Sequence, residues 1–308
     1  MSITTNKFLT VVCRPLIQLT KFTSKHDPEL VIRARYFVRF HKPINLKNPQ
    51  NLNEKILYLS LKTDTSKWSE LADKYAVRKY VEDCGLKDTL VGFYGYWEKA
   101  EDIDFDKLPN SFILKAVQGS GDPIIVKNKS TYDIEDARKY MSKVYKQPYG
   151  GLEAGSHYLR IRPGIIAEEF LNNDEVSKKF SKSLIDYKIW CINGKAEYIW
   201  TCCNRTPPHG IEVLTYDRDW NAHPEYSVFD NIYRKGSPMP APKNLDYMLE
   251  VAEKLAKPFP VVRVDLYNLD GKIYFGEMTF TSLGGLMNFY TPEFLLKVGQ
   301  MIDLNYKG

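Results

Sequence analysis

The sequence predicts an α+β protein, on three observations. Two stretches of alternating β-branched, aromatic and charged residues turn back on themselves, one about Asn193-Gly194 and one between Asn268 and Gly271, as antiparallel hairpins do. Helical periodicity accompanies them over residues 69–85, 133–145 and 244–257 and again after Pro292. Two further strand-like runs flank the loop Gln118-Gly119-Ser120-Gly121. A chain of 308 residues can bury a sizeable core as one large or two modest domains, and 44% hydrophobic with 26% charged residues is ordinary for a soluble protein.

Charge and cysteine usage exclude several classes. The net charge of +5 suits anionic partners such as nucleotides or acidic sugars and falls short of the basic bias of a nucleic-acid binder, so no nucleic-acid partner is expected. Five cysteines, Cys13, Cys84, Cys191, Cys202 and Cys203, form no C-x-x-C pair and are odd in number. They indicate neither a zinc site nor a disulfide framework, and a reducing cytoplasm fits them. The apolar run from Phe8 to Thr20 is broken by Arg14 and Pro15 and is too short to span a bilayer. His26, His41, His157, His209 and His223 are scattered without metal-ligand spacing and are expected to be structural or surface residues.

In chain order, residues 1–60 are the least legible. Seven basic residues between Lys7 and Arg39 stand against Asp27 and Glu29, interleaved with Leu, Ile, Val and Phe. Such a segment can lie on an anionic membrane surface; a packed helix with a charged outer face is commoner and is the expectation. Leu71, Tyr75, Ala76 and Tyr80 recur at three- and four-residue spacing, which predicts one helix ending at Gly85, with Lys74 beside its apolar stripe. Phe112 to Ala116 and Ile124 to Val126 read as strands. A glycine-containing loop between them lets backbone N–H groups approach phosphate oxygens, with Lys115 supplying positive charge, although most Gly-Ser-Gly triplets are simply turns. The spacing is neither G-x-x-x-x-G-K-[ST] nor G-x-G-x-x-G.

Further on, Asp133 caps a helix with Ile134, Ala137, Met141 and Val144 inward. Gly164 to Leu171 is a buried strand running into Glu168 and Glu169. Asp186 and Lys188 alternate with Tyr187 and so share a face, and Arg205 follows the partner strand. Fixed cations of this kind stabilise a phosphoryl group or hold a substrate carboxylate, while cross-strand pairing on an exposed face is the commoner outcome. The proline-rich stretch from Thr206 to Pro242 would shape an acceptor pocket. Thr291-Pro292 opens a last helix that buries Phe294, Leu295, Val298 and Ile302.

The chemistry centres on Val261 to Gly285. A three-residue loop, Leu269-Asp270-Gly271, would set Asn268 against Lys272, Arg263 against Glu277 and Asp265 against Phe275. Asp265 and Glu277 would then be diagonal neighbours roughly 7–8 Å apart. Two carboxylates so placed suit Mg²⁺, which binds one or two carboxylates together with waters and nucleotide phosphates. A solvated hairpin face with an Arg–Glu pair fits the spacing equally well.

Four pieces, LADKYAVRKYV, LPNSFILKAVQGSG, IAEEFL with DYKIW, and VRVDLY with YFGEMTF, together resemble the TupA-like branch of the ATP-grasp superfamily in content and order, from about Asn51 to Leu304. The resemblance implies an ATP-grasp fold, two α+β subdomains clamping ATP behind a helical N-terminal extension. Its divisions would be an extension at 1–60, a reduced pre-ATP-grasp region at 61–107, a lid at 108–165 and a core at 166–308. ATP and Mg²⁺ are the implied cofactors. By the same resemblance Lys74, Lys115 and the loop Gly119, Ser120 and Gly121 would hold phosphates. Glu168 and Glu169 would meet the purine and ribose edges between Phe170 and Leu171. Asp265, Glu277 and Thr279 would hold the metal, Thr279 standing where the family usually has Asn, and Arg263, Lys188 and Arg205 would act on the transferred group.

The implied activity is a ligase that activates a carboxylate as an acyl phosphate for attack by an amine, acting on a uronic acid of a surface polysaccharide or its precursor. A sugar kinase, or a non-catalytic nucleotide-binding partner in polysaccharide assembly, would use the same nucleotide site. The implied partners are a sugar or polysaccharide carboxylate acceptor and an amine donor, in the cytoplasm and with peripheral association to membrane-bound polysaccharide machinery.

Overall fold

The computed structural model describes residues 27–118, 123–147, 149–150, 155–205 and 210–308. Four helices come first, α1 (Pro28–Phe40), α2 (Leu52–Lys62), α3 (Ser66–Ala72) and α4 (Val77–Asp83). Strands β1 (Phe93–Trp97), β2 (Phe112–Ala116) and β3 (Ile124–Val126), helix α5 (Ile134–Val144) and strand β4 (Ile165–Glu168) follow. The second half runs β5 (Asp186–Ile192), β6 (Lys195–Cys203), β7 (Ile211–Asp217), β8 (Tyr233–Lys235), α6 (Leu245–Ala256), β9 (Val261–Leu269), β10 (Lys272–Thr279) and α7 (Pro292–Met301).

The strands form two sheets, a smaller one in the order β1-β4-β2-β3 and a larger one in the order β10-β9-β5-β6-β7-β8. All pairings are antiparallel except β7 with β8. The smaller sheet joins β2 and β3 to β1 (Phe93–Trp97) and to β4, which begins at Ile165.

Alternation decides what each sheet buries. In β2, Phe112, Leu114 and Ala116 share a core with Ala137 and Met141 of α5, so Ile113 and Lys115 turn to the opposite face. On the larger sheet, Ile189, Ile199, Val264 and Leu266 share a core with the α6 stripe Met248, Val251, Ala252 and Leu255. That leaves Lys188, Asp265 and Arg263 on the far face. The N-terminal helices are tied on by polar bonds as well as packing. Asn51 and Glu54 form a reciprocal capping box at the start of α2. The buried Asn53 amide donates to the Met287 carbonyl (2.9 Å) and accepts from the Met287 N–H (3.1 Å).

Several expected elements form as read: both β2 and β3, the Asp133-capped helix, the Asn193-Gly194 hairpin with both residues at positive φ, α6, and α7 behind Thr291-Pro292. Two expectations need correction. The single helix up to Gly85 is instead α3 and α4, broken over Asp73 to Ala76. Asp73 accepts the N–H groups of Tyr75 (2.8 Å) and Ala76 (3.1 Å), and the Lys74 N–H donates to the Val117 carbonyl at the end of β2 (3.2 Å). A local side-chain acceptor and a tertiary partner together outcompete the helical bonds.

The second correction is the hairpin register. The β9–β10 turn has two residues, Asp270 (φ 52°) and Gly271 (φ 93°), so Lys272 faces Leu269 and Phe275 faces Leu266. A shift by one residue would have sent Glu277 to the opposite face. A bulge between Phe275 and Glu277 restores it, and Glu277 pairs directly with Asp265, and Thr279 with Arg263. The carboxylates are therefore direct rather than diagonal neighbours. Gly276 sits in the bulge, and a Cβ there would lie 2.9 Å from the Asp265 carbonyl oxygen.

His157 is buried, in ring contact with Trp68, Tyr158 and Phe280, and neither ring nitrogen has a hydrogen-bond partner. Burial, reinforced by Arg160, pushes its pKa down to about 3.

These packing constraints lead to two expected outcomes. Gly276→Ala should lower the unfolding free energy by about 1–3 kcal/mol in urea titrations, because the added methyl meets backbone. For His157 the unfolded chain takes up a proton near its ordinary pKa of 6.5 while the folded chain does so only near about 3. Its contribution is thus complete above the first value and is lost as pH falls toward the second. Between pH 7.5 and 4.5 the native protein should lose about 3 kcal/mol more than His157→Phe; equal losses would refute the assignment.

Candidate functional site

The site is built first on the larger sheet. Register places Lys188 of β5, Asp265 of β9 and Glu277 of β10 in one row across three strands, and Trp190, Arg263 and Thr279 in the next. The Arg263 guanidinium folds back on its own strand, with Nε 2.6 Å from Asp265 Oδ1 and Nη2 2.7 Å from Oδ2. Its Nη1 donates to Ser282 Oγ (2.6 Å) and its Nη2 to Thr279 Oγ1 (3.0 Å). The Thr279 hydroxyl donates in turn to Glu277 Oε1 (3.2 Å), which lies 3.6 Å from Arg263 Nη2.

On the other side, the Lys188 ammonium bridges Asp265 Oδ2 and Asp186 Oδ2, the latter at 2.6 Å, and Arg205 reaches Asp186 at 3.5 Å. Asp186 Oδ1 is buried without a partner. Burial would lower the basicity of Lys188, yet Asp186 and Asp265 outweigh it and hold the ammonium firmly protonated. Burial would likewise raise the Asp265 pKa, but Arg263 and Lys188 hold it below the usual range. For Asp186 burial, reinforced by the neighbouring Asp265, outweighs Lys188 and Arg205 and pushes its pKa up.

The second half lies on the smaller sheet. Lys115 Nζ is 2.8 Å from Glu168 Oε2, and Arg78 Nη1 is 3.2 Å from Glu168 Oε1. Arg78 also donates to the Val91 carbonyl (3.0 Å) and lies 4.8 Å over the Phe93 ring. Glu168 is thus a counter-ion that fixes Lys115. Glu169 follows with its N–H on the Gly92 carbonyl (2.8 Å), Phe170 is half-buried and Leu171 buried. Gly119, Ser120 and Gly121 lie outside the described residues.

Lys74 joins the two halves. Burial lowers its basicity, Lys115 acts in the same direction, and the carboxylates Glu277 of the larger sheet and Glu168 of the smaller oppose them. The phenols of Tyr158 and Tyr267 are also raised, by burial first and then by Glu277 and Asp265, which puts both at the same junction. Arg78, Ser282, Tyr158 and Tyr267 were not foreseen from the sequence. The one available signal was Arg78, four residues after Lys74.

The donor set fits a hard cation. Among the described residues no group of three or more His, Cys, Asp or Glu side chains is placed to hold a metal. The paired Asp265 and Glu277, with the Thr279 hydroxyl, offer oxygen donors that match an ion completing its shell with phosphate and water. Glu277 is the open member, with 37% of its side chain exposed, and Asp265 has both oxygens on cations.

Two α+β halves carry this site, with Lys115 on the smaller sheet, Lys188 and the paired carboxylates on the larger and Lys74 in the break between α3 and α4, and they are those of an ATP-grasp protein. The chain belongs to the TupA-like ATP-grasp family, whose model matches residues 54–303. Among solved structures it is similar to D-alanine–D-alanine ligase from Bacillus anthracis complexed with ATP, at 15% identity and TM-score 0.45, over 76% of this chain and 64% of that one. It is also similar to N5-carboxyaminoimidazole ribonucleotide synthetase from Thermus thermophilus, at 14% identity and TM-score 0.42, over 74% and 52%. D-alanine–D-alanine ligase from Helicobacter pylori stands at 14% identity and TM-score 0.42, over 83% and 68%. The chain thus spans less than two thirds of the first of these relatives. No curated protein matches the sequence. ATP-grasp ligases use ATP with Mg²⁺.

Lys188 occupies the Asp265 oxygen that a cation would take. Lys188→Met should lower the unfolding free energy in chelator by about 3–5 kcal/mol, the cost of removing one partner from a buried ion cluster, and MgCl₂ should restore part of it. The native protein without nucleotide should respond little to MgCl₂ in the same thermal scan.

Proposed function

We propose that the protein is an ATP- and Mg²⁺-dependent ligase that joins a carboxylate to an amine, and that the carboxylate belongs to a uronic acid in a surface polysaccharide or its precursor. The observation that supports this reading most is that the Lys74 ammonium feels the charges of Lys115 and Glu168 of one sheet and of Glu277 of the other. When bound, MgATP would supply the phosphoryl group and shield its charge.

In this reading Lys74 and Lys115 bind phosphate oxygens, joined by the backbone of Gly119, Ser120 and Gly121. Glu168, backed by Arg78, holds the Lys115 ammonium in place. Glu169, Phe170 and Leu171, where β4 ends, form the nucleoside wall. Asp265, Glu277 and Thr279 hold the metal. Arg263, fixed by Asp265, Ser282 and Thr279, stabilises charge developing on the transferred group. Lys188 and Arg205, either side of Asp186, orient the acceptor carboxylate, whose oxygen attacks the phosphoryl group to give an acyl phosphate. The amine then displaces phosphate from the acyl carbon. The reading includes peripheral association with membrane-bound polysaccharide machinery; no helix of the described residues is long and apolar enough to cross a membrane.

Incubation with MgATP, uronic acids and hydroxylamine should yield a hydroxamate together with ADP. A stable phosphosugar would instead identify a kinase, and absence of turnover with every acceptor a binding role. Lys115→Ala and Glu277→Ala should each cut turnover by about 10²-fold or more with the fold retained; unchanged turnover in either would remove that residue from the site.

A further inference from the structure

Charge is unevenly distributed along the chain. Residues 1–50 carry nine Lys and Arg against Asp27 and Glu29, net +7, while the whole chain nets +5, so residues 51–308 net −2. Helix α1 shows the same segregation in space. Its inner face is buried through Val31, Ile32 and Tyr36, and Ile32 and Tyr36 share a core with Ile44, Leu46, Leu57 and Leu286. The helix is therefore anchored, and its outer face has a fixed direction.

That outer face carries Leu30, Ala34, Phe37 and Val38, the i, i+4, i+7 and i+8 positions of one stripe. Exposure is 54% for Leu30, 55% for Phe37 and 74% for Val38. Arg39, His41 and Lys42 are exposed at the C-terminal end of the helix, Arg39 about 100° round the axis from Val38, and Arg33 flanks the stripe, paired with Glu29.

We propose that the outer face of α1 docks the protein on an anionic lipid bilayer, with Leu30, Phe37 and Val38 entering the headgroup boundary and Arg39 and Lys42 meeting acidic headgroups. A helix whose apolar stripe is bordered by cations lies in the interface plane of such a membrane. A polyanion without an apolar phase would engage the cations and leave Phe37 and Val38 in water, so the stripe itself favours a bilayer. None of the candidate site's side chains lies on α1, and the docking surface stands independently of the ligase reading.

The test is co-sedimentation of the full chain with vesicles of phosphatidylcholine alone or with added phosphatidylserine. Binding should be at least about tenfold tighter to the acidic vesicles and should weaken as salt rises. Phe37→Ser with Val38→Ser, and separately Arg39→Glu with Lys42→Glu, should each lose about tenfold in vesicle binding with an unchanged thermal midpoint. Equal binding to both vesicles, or none to either, overturns the proposal. Salt-sensitive binding that ignores the serine pair marks a polyanion surface and also overturns it. A lowered midpoint in the serine pair means the stripe is covered within the protein or by a second copy, and it overturns the proposal as well.

Discussion

Asp265 is 2% exposed, and both its oxygens rest on cations. A carboxylate taken out of water alone costs several kcal/mol, so its position is tolerable only where cations arrive from fixed directions. Those directions come from the sheet order. β9 lies between β5 and β10, which are distant from each other in sequence, and the pairing puts Lys188 on one side and Glu277 on the other. Arg263 needs no neighbouring strand, being two residues away on the same face. A buried ion pair adds little net stability. Here it fixes geometry: the Arg263 fork is planar, and with Asp265, Ser282 and Thr279 accepting from it, it has little room to turn.

The smaller sheet repeats this logic with the same signs. Glu168 is the buried anion, and Lys115 and Arg78 approach it from different elements. The two lattices together hold six cations, Arg263, Lys188, Arg205, Lys115, Arg78 and Lys74, against five carboxylates, Asp265, Asp186, Glu277, Glu168 and Asp73. Lys74 registers the imbalance, its basicity lowered by burial and by Lys115. An anion entering between the sheets would relieve it, so the free protein already presents positive charge where a polyphosphate is proposed to lie.

What the sequence disclosed was local. The Asn193-Gly194 turn, the Asp133 and Thr291 caps and the α6 stripe each depend on residues within a few positions of one another, and each forms as read. The misreadings came where a distant partner decided. Asp73 interrupts the Leu71-to-Tyr80 periodicity because Val117, just past the end of β2, accepts the Lys74 N–H. The carboxylate pair on one face was legible, but its register was not. A two-residue turn with a bulge at Gly276 gives the same facing as a straight ladder with a three-residue loop, and only backbone contact with Asp265 distinguishes them. The roles of Arg78 and Ser282 were not legible for the same reason, being set by Glu168 and Arg263, remote in the chain.

Thr279 illustrates how a single departure from a family pattern is resolved by its neighbours. An Asn there would bring a carbonyl oxygen with two lone pairs and a separate amide donor. The Thr279 hydroxyl has one proton, spent on Glu277 Oε1, and two lone pairs, one of them taken by Arg263 Nη2. One acceptor direction is left. The hydroxyl therefore orients Glu277 and steadies Arg263 before it can serve as a ligand, and the carboxylates must carry most of the charge of any cation held there. That places the demand on Asp265 and Glu277, whose direct pairing across β9 and β10 is what the bulge at Gly276 secures.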